Sequence, residues 1–549
     1  MTSHLQLPLR RYARIGLGTL LSILFILALS GCYAEGTGPA TTNEPTEQLA
    51  SQETAIIATK PVIQETATLE VIITEEIPSP PPAATPIQSP TPNPTRPSPF
   101  VHGVEWHQVG YGETLGYIAV QYDTTIEKLM EANGIENPNQ LSQGQTIMVP
   151  AMRLNYGPID KLLPDSEVVL GPASSQFDVD AFVLEHGGYL SYYTEIVEGK
   201  EYTGAEIVEV LASQFSVSPR LLLALLEFKS GWVTLPYPAQ DTLYYPMGQV
   251  VSGWDGLFIQ LSWTANQLNH GFYQWDANRL YSTSLQDGIQ LAFHPSLNAG
   301  TVAIQHFLSL NNWYELWQHQ VTWDGSFMAV YHSLFGDPFS YQTDPLIPPD
   351  LTQPEFTLPW RDGKQWYLSS APHSGWGTGG GWAALDFVPE GEDLGCFHSD
   401  AWVNAIASGV VIESHDGRVV VDLDGDGFVQ TGWTILYMHV AERDRVPVGE
   451  WVATGDKIGH PSCEGGFSNG THLHIARRYN GRWMEAAGDI PFVMDGWVPE
   501  SYGTQYDGVL RKGEIVREAY GSDRIPEMNG ILAGPIPTPF PWAVPTKEY

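Results

Sequence analysis

A chain of 549 residues is too long for one hydrophobic core and predicts two to four domains. With 62 acidic against 26 basic residues and a formal net charge of −36, it lacks the basic footprint of a broad nucleic-acid binder, and its charge opposes electrostatic docking on anionic lipid. Trp, Tyr and Phe make up 11% of the chain; ordinary core packing accounts for most of that, and a carbohydrate-contacting surface stays open.

The first 31 residues read as a targeting segment outside the fold. Arg10, Arg11 and Arg14 form a positive start, and Ile15 to Leu29 is an apolar run too short to span a bilayer comfortably. Leu29-Ser30-Gly31-Cys32 then resembles a bacterial lipobox, which implies cleavage before Cys32 and lipid modification of its thiol. An ordinary signal peptide with an incidental cysteine is the alternative. Residues 32–105 are rich in Thr, Pro, Glu and Ala and end in "PSPPPAATPIQSPTPNPTRPSP". They bury too little apolar surface to offset the entropy of ordering, so a disordered, semi-stiff tether is expected. The two remaining cysteines, Cys396 and Cys463, are expected to form a disulfide in an oxidising compartment, with two buried free thiols as the alternative.

Residues 106–150 predict a compact β-α-α-β unit. A strand opens at Trp106; Leu115, Ile118, Ala119 and Tyr122 recur at helical spacing. Thr125 can cap a second helix carrying Ile126, Leu129 and Met130, and Gly144 turns the chain into a strand over Thr146 to Val149. With "GETL" and "ANGIENPNQLSQGQTIMVP", the segment resembles a LysM module. That resemblance implies binding of N-acetylglucosamine polymers through Gly112, Glu113, Thr114 and Leu115, and through Asn137 and Leu141 in the loop after the second helix. A scaffold that has lost sugar binding is the plainer alternative.

Residues 160–350 read as mainly helical. "SVSPRLLLALLEFKSGW" begins with Ser218-Pro219, a capped helix start. With "GLFIQLSWTANQLNHGF" and "NAGTVAIQHFLSL" it resembles a soluble lytic transglycosylase of lysozyme-like fold. That family places a catalytic Glu directly before the Ser of this helix; here Lys229 precedes Ser230, and a lysine cannot serve as the general acid. Glu227 lies about 200° around the helix. The expectation is a degenerate lysozyme-like domain that keeps a glycan groove or serves only as a spacer.

From 355 to 515 short β-prone runs alternate with Gly-rich turns, the pattern of an antiparallel sheet. In "THLHIAR", His472 and His474 stand two apart, so a strand projects both on one side, about 6.6 Å apart, and sends Leu473 to the other. Zinc takes neutral imidazole, and a catalytic zinc needs three protein ligands, so further ligands are required. His373 and Asp386 in "APHSGWGTGGGWAALDF", His439 in "LYMHV" and the run "CEGGFSNGTHLH" together resemble the lysostaphin-type zinc metalloendopeptidases. In much of that family the first motif is His-x-x-x-Asp, but the matching offset from Asp386 falls on Trp382. The longer Gly-rich loop between His373 and Asp386 instead resembles the β-lytic endopeptidase and staphylolysin branch. The resemblance implies that His373, Asp386 and His474 bind one Zn2+ and that His439 and His472 are catalytic. His398, His415 and His460 lie in turns and are expected on the solvated surface. Asp422, Asp424 and Asp426 have the early spacing of a calcium loop, but its twelfth position is Trp433, so a tight acidic hairpin is favoured over a structural Ca2+. Glu464 is expected either to line the site or to shape its turn. The tail from 516 to 549 is Pro-rich, and an extended segment is expected, either packed on the enzyme or not.

The expected architecture is therefore multidomain: a βααβ LysM module, a mainly α lysozyme-like domain and a mainly β zinc peptidase domain. The expected function is hydrolysis of peptide bonds in peptidoglycan cross-bridges or stem peptides, by an extracytoplasmic envelope protein held to the membrane by a lipid on Cys32. Peptidoglycan peptide and N-acetylglucosamine chains are the expected partners and nucleic acid is not. The sequence leaves the oligomeric state open. Two alternatives stand beside this reading. One is a non-catalytic wall-binding or hydrolase-activating protein; the other is a glycosidase acting through the helical domain.

Overall fold

The computed structural model describes residues 105–534, apart from 111, 112, 123, 143, 150–155 and 392–394. The expected leader over 1–31, Cys32, the tether up to 104, Gly112 and residues 535–549 lie outside the described residues.

In the first unit, β1 (Glu105–Gln108) pairs antiparallel with β2 (Thr146–Val149), and α1 (Leu115–Gln121) and α2 (Ile126–Asn133) complete the β-α-α-β order. The helical spacing buries Leu115, Ile118, Ala119 and Leu129 with Ile147 and Val149 in one small core. The Thr125 hydroxyl accepts from the Lys128 N–H and caps α2, and Gly134 ends the helix at φ 61°. One expectation is corrected here. Leu115 is 1% exposed, so its side chain builds the core and offers nothing to a sugar.

The middle segment contains α3 (Val179–His186), a hairpin of β3 (Thr194–Val197) and β4 (Lys200–Thr203), α4 (Gly204–Phe215) and α5 (Pro219–Ser230). α6 (Leu257–Asp276), a hairpin of β5 (Ser282–Ser284) and β6 (Gln290–Ala292), α7 (Ala299–Ser309), α8 (Tyr314–Gln320) and α9 (Ser326–Phe335) follow. Ser218 caps α5, with Pro219 in its first turn. Leu221 to Leu226 are all fully buried, so α5 is apolar on every side and threads the core. Beyond them, Glu227 is committed to structure. Its carboxylate accepts from the Val233 and Thr234 N–H groups at 3.0 Å and from the Thr234 hydroxyl at 2.6 Å. The Lys229 ammonium lies 5.7 Å from the Phe307 ring centroid, and burial lowers its pKa to about 8. Neither residue presents a free acid for glycoside cleavage.

The C-terminal segment carries a nine-stranded sheet. Its strands are β7 (Gln365–His373), β8 (Ala384–Pro389), β10 (Gly409–His415), β11 (Arg418–Asp422), β12 (Trp433–Met438), β13 (Trp451–Val452), β15 (Leu473–Tyr479), β16 (Arg482–Trp483) and β20 (Gly530–Leu532). β9 (Val403–Asn404) and β14 (Lys457–Gly459) form a separate pair, and β17 (Val498–Ser501), β18 (Gly508–Lys512) and β19 (Ile515–Glu518) form a small sheet. The main order is β13-β10-β11-β12-β15-β8-β7-β20, with β16 folded back on β15; every pairing within it is antiparallel.

The period of two divides this sheet between two cores. Leu385, Phe387, Val421, Ile435, Tyr437, Leu473 and Ile475 pack into a core of the sheet's own segment. Ala384, Val420, Leu436, Met438, Ala476 and Trp483 join the core of the helical segment instead. Polar contacts accompany this shared core. Trp483 N–H donates to Tyr273 Oη at 2.9 Å, Arg478 to the Ser213 carbonyl at 3.0 Å, and Arg279 forks onto Glu485 at 2.6 and 3.0 Å.

The tail, whose packing the sequence left open, is packed over residues 516–534: β19 joins the small sheet, and β20 pairs with β7, with Ile531 opposite Trp366 and fully buried. A three-residue strand carries too little periodicity to be read from sequence. Among the described residues no helix is long and apolar enough to cross a membrane.

Candidate metal centre

Asp386 lies opposite His474 in the β8–β15 ladder, so the register alone brings these two side chains to one place. His373 arrives differently. Along β7, Ser370 is opposite Asp386 and His373 opposite Ala384, so three steps on β7 match two on β8. This irregularity turns His373 to the face that Asp386 and Ala384 share. His373 Nε2, His474 Nδ1 and Asp386 Oδ1 then converge, with separations of 3.1, 3.2 and 3.1 Å.

Outer hydrogen bonds set the protonation pattern. His373 Nδ1 donates to the Ala371 carbonyl at 2.8 Å, and His474 Nε2 donates to the Gly375 carbonyl at 3.1 Å. Each ring therefore turns a bare lone pair inward, towards the other and towards a carboxylate oxygen. Three such donors repel one another unless a cation lies between them. In a tetrahedral zinc sphere adjacent nitrogen or oxygen ligands stand about 3.3 Å apart, so the observed triangle fits zinc.

His439 and His472 stand beside this triangle. β12 ends at Met438, whose partner is His474. A continuing strand would aim His439 at the opposite face, but its φ of 62° swings the ring back, to 4.4 Å from the His472 ring and 6.3 Å from the His474 ring. His439 Nδ1 donates to the Glu464 carbonyl at 3.0 Å and His472 Nδ1 to the Gly470 carbonyl at 2.8 Å. Their Nε2 atoms keep free lone pairs, and His472 Nε2 lies 3.9 Å from Asp386 Oδ1.

Burial is the largest influence on these groups. It pushes the His439 imidazole down to about 3, reinforced by His472 and His474, so the ring is neutral. It also lowers His474, against the pull of Asp386. Burial acts against charge on Asp386 too, but His373, His472 and the imidazole hydrogen bonds outweigh it and hold the carboxyl well below its usual range. For His373 burial works downward, and the Asp386 charge overcomes it and raises the pKa.

Three contacts in the surroundings carry no sequence signal. The Tyr506 ring stacks on His373 at 4.6 Å and 24°. Gln505 accepts from the Ser374 N–H at 3.1 Å. The Gly375 carbonyl is the His474 partner described above. Gln505 and Tyr506 come from the turn between β17 and β18, far along the chain.

The other expected residues divide. Cys396 and Cys463 are bridged, with Cα atoms 5.8 Å apart. Glu464 shapes its turn: its carboxylate accepts from the Glu442 N–H at 2.7 Å. His398 and His415 are exposed, but His460 is a correction. It is 3% exposed, donates to the Ala401 carbonyl and lies 3.9 Å from the Trp402 ring, which covers it. Asp422, Asp424 and Asp426 do cluster. Their oxygens accept from the loop's own N–H groups at 424, 427 and 428, as in a tight acidic turn, and the Trp433 side chain adds no oxygen. In the first unit, Glu113 pairs with His107 at 2.7 Å and accepts from the Gly110 N–H, while Thr114 accepts from the Tyr117 N–H. Asn137 is exposed and Leu141 is half-buried against the core.

Comparison with known proteins agrees with this division of the chain. Family models match as LysM domain over 107–150, LasA N-terminal domain over 161–349 and peptidase family M23 over 388–486. The first of these covers the β-α-α-β unit. The second covers the segment compared above with a lytic transglycosylase, and that comparison finds no support. The third begins just past Asp386, so His373 and Asp386 join the site by geometry rather than by the matched span. Protease LasA from two strains of Pseudomonas aeruginosa is 26% identical over 332 residues, 57% of this chain and 73% of the relative. Among solved structures, the M23 metalloprotease pseudoalterin from the deep sea aligns at 21% identity over 31% of this chain and 97% of its own, with a TM-score of 0.26. A zinc-containing peptidase from Vibrio cholerae aligns at 20% identity over 25% of this chain and 41% of its own, with a TM-score of 0.19. In chain order the protein thus matches the LysM domain, the LasA N-terminal domain and peptidase family M23, and it is similar to protease LasA over 57% of its length.

Proposed function

We propose that this chain is a zinc metalloendopeptidase that hydrolyses peptide bonds in peptidoglycan cross-bridges or stem peptides. His373, Asp386 and His474 hold the metal. Two neutral imidazoles and one carboxylate leave a zinc ion with a net charge of about +1 and room for further ligands. Bound there, zinc supplies Lewis acidity towards a water molecule and a substrate carbonyl. Of His439 and His472, one takes the proton of the attacking water on its bare Nε2 and passes it to the leaving amine; the other steadies the developing oxyanion when its own Nε2 carries a proton. Low-charge substrates with small residues, such as Gly-containing peptides, are what the β-lytic resemblance implies. The LysM domain supplies glycan contact, and a lipid on Cys32 tethers the protein at the outer face of a bacterial membrane.

The observation that carries this reading is the convergence of two inward lone pairs and a carboxylate beside the imidazoles of His439 and His472. The test measures zinc per chain and new amino termini released from purified peptidoglycan. His373→Ala, Asp386→Ala and His474→Ala should lose both. His439→Ala and His472→Ala should keep zinc and slow release by about 10²–10⁴-fold. Wild-type protein that binds zinc and releases no termini would instead be a wall-binding or activating protein. Cys32→Ala protein that still partitions with membranes would remove the lipid tether.

A further inference from the structure

The loop between His373 and Asp386 reads "SGWGTGGGW" over 374–382 and has five glycines. The structure shows why. A Cβ on Gly379 would stand 2.1 Å from the Asn266 carbonyl oxygen, and one on Gly375 2.5 Å from the Trp483 ring. At Gly379 the loop lies so close to α6 that a side chain is excluded, and at Gly375 the Trp483 ring excludes one. α6 belongs to the LasA N-terminal domain, whereas the loop leads from one candidate ligand to the next.

Asn266, in the middle of α6, spends its whole amide on this loop. Its Oδ1 accepts from the Thr378 and Gly379 N–H groups, both at 2.8 Å, and its Nδ2 donates to Thr378 Oγ1 at 3.0 Å. From the other side Gln505 Nε2 donates to the Thr378 carbonyl at 3.3 Å. Within the loop, the Gly375 N–H donates to the Gly381 carbonyl at 3.0 Å and closes the two ends together. The Gly375 carbonyl then receives His474 Nε2. Hydrogen bonds joined by short stretches of loop backbone thus run from the helical domain to the ring that turns its lone pair into the metal triangle. Glycine-rich backbone has the most conformational freedom to lose, so the loop needs an external clamp to hold one carbonyl in place.

We infer that Asn266 is a positioning residue for His474: by pinning 378–379 to α6 it fixes the Gly375 carbonyl, and with it the tautomer and orientation of the imidazole. The helical domain is on this view a working part of the metal site. The inference rests on the zinc reading above, and its test separates the two. The full chain is used, with zinc affinity measured by chelator competition, cobalt(II) followed by its d–d absorption, and thermal unfolding followed in chelator.

Asn266→Leu keeps the size and removes the hydrogen bonds. It should weaken zinc binding about 10- to 100-fold, the usual cost of losing an outer partner of a ligand, and shift the cobalt spectrum. Asn266→Asp keeps the two acceptor contacts and should stay near wild type in both. Gly379→Ala, which pushes the loop off α6, gives a second route to the same loss if Asn266→Leu does not fold. Wild-type affinity and an unchanged cobalt spectrum in Asn266→Leu would overturn the inference. So would an affinity loss in both Asn266 variants that only tracks lost thermal stability. Wild-type protein that takes up no metal gives a different result, and it removes the zinc reading itself.

Discussion

Trp483→Ala tests whether the helical and M23 segments share one core. Trp483 is 1% exposed and packs among residues of both segments. Truncating a buried Trp to Ala costs about 3–5 kcal/mol, through lost transfer energy and the cavity left behind. Two neighbouring contacts decide whether more must be added. The indole N–H donates to the Phe215 carbonyl at 3.2 Å, but that oxygen also accepts from Asn269 at 2.7 Å and is not orphaned. The Arg478 guanidinium loses its cover, the indole ring 4.6 Å away, yet keeps its bond to the Ser213 carbonyl. The total therefore stays at about 3–5 kcal/mol. The assay is urea unfolding followed by two probes, far-ultraviolet circular dichroism for helix and near-ultraviolet signals for the Trp-rich sheet. Both midpoints should fall together, and Trp483→Phe should recover most of the loss. A cost below about 1 kcal/mol, far under that of a buried large-to-small change, would refute the shared core. Two separate midpoints in wild type would do the same.

Glu413 lies in the same interface, accepting from the Ser213 hydroxyl at 2.6 Å and lying 3.2 Å from Arg418 Nε. Burial works against its charge, but Arg418 and Ser213 prevail and hold its pKa below the ordinary 4.5. A depressed carboxyl contributes stability that is complete above the unfolded pKa and fades as pH falls through the folded one. Unfolding scans should therefore show stability falling below about pH 4.5. Glu413→Gln should flatten that acid limb and cost about 3 kcal/mol at neutral pH; an unchanged limb would exclude Glu413 as its source. The Cys396–Cys463 bridge spans 67 residues, a loop whose closure is worth about 4 kcal/mol on chain-entropy grounds. Reductant, or the double change to Ala, should lower the unfolding midpoint accordingly, and the two treatments should not add.

Some of this site was legible along the chain because strands obey a local rule. The spacing in "THLH" sends Leu473 inward, where it is fully buried, and leaves His474 on the other face. Ser218-Pro219 opens a helix as its chemistry requires. Sequence order gave no access to features that depend on distant partners. His460 is buried because Trp402 lies over it, and Leu115 because it joins a core with Leu129 of α2 and Ile147 and Val149 of β2. Tyr506 and Gln505 reach the site from a turn that carries no motif.

Taken alone, the amino-acid order determined which residues can serve as ligands, which strand faces are apolar and that a glycine-rich stretch separates His373 from Asp386. Tertiary structure decided the rest. An irregular step in β7 aims His373, a left-handed backbone turns His439, and a helix from another segment bonds to the loop between His373 and Asp386. Side-chain type and short-range periodicity are local properties, whereas convergence of donors requires chain segments to meet in space, and that depends on how every other segment packs.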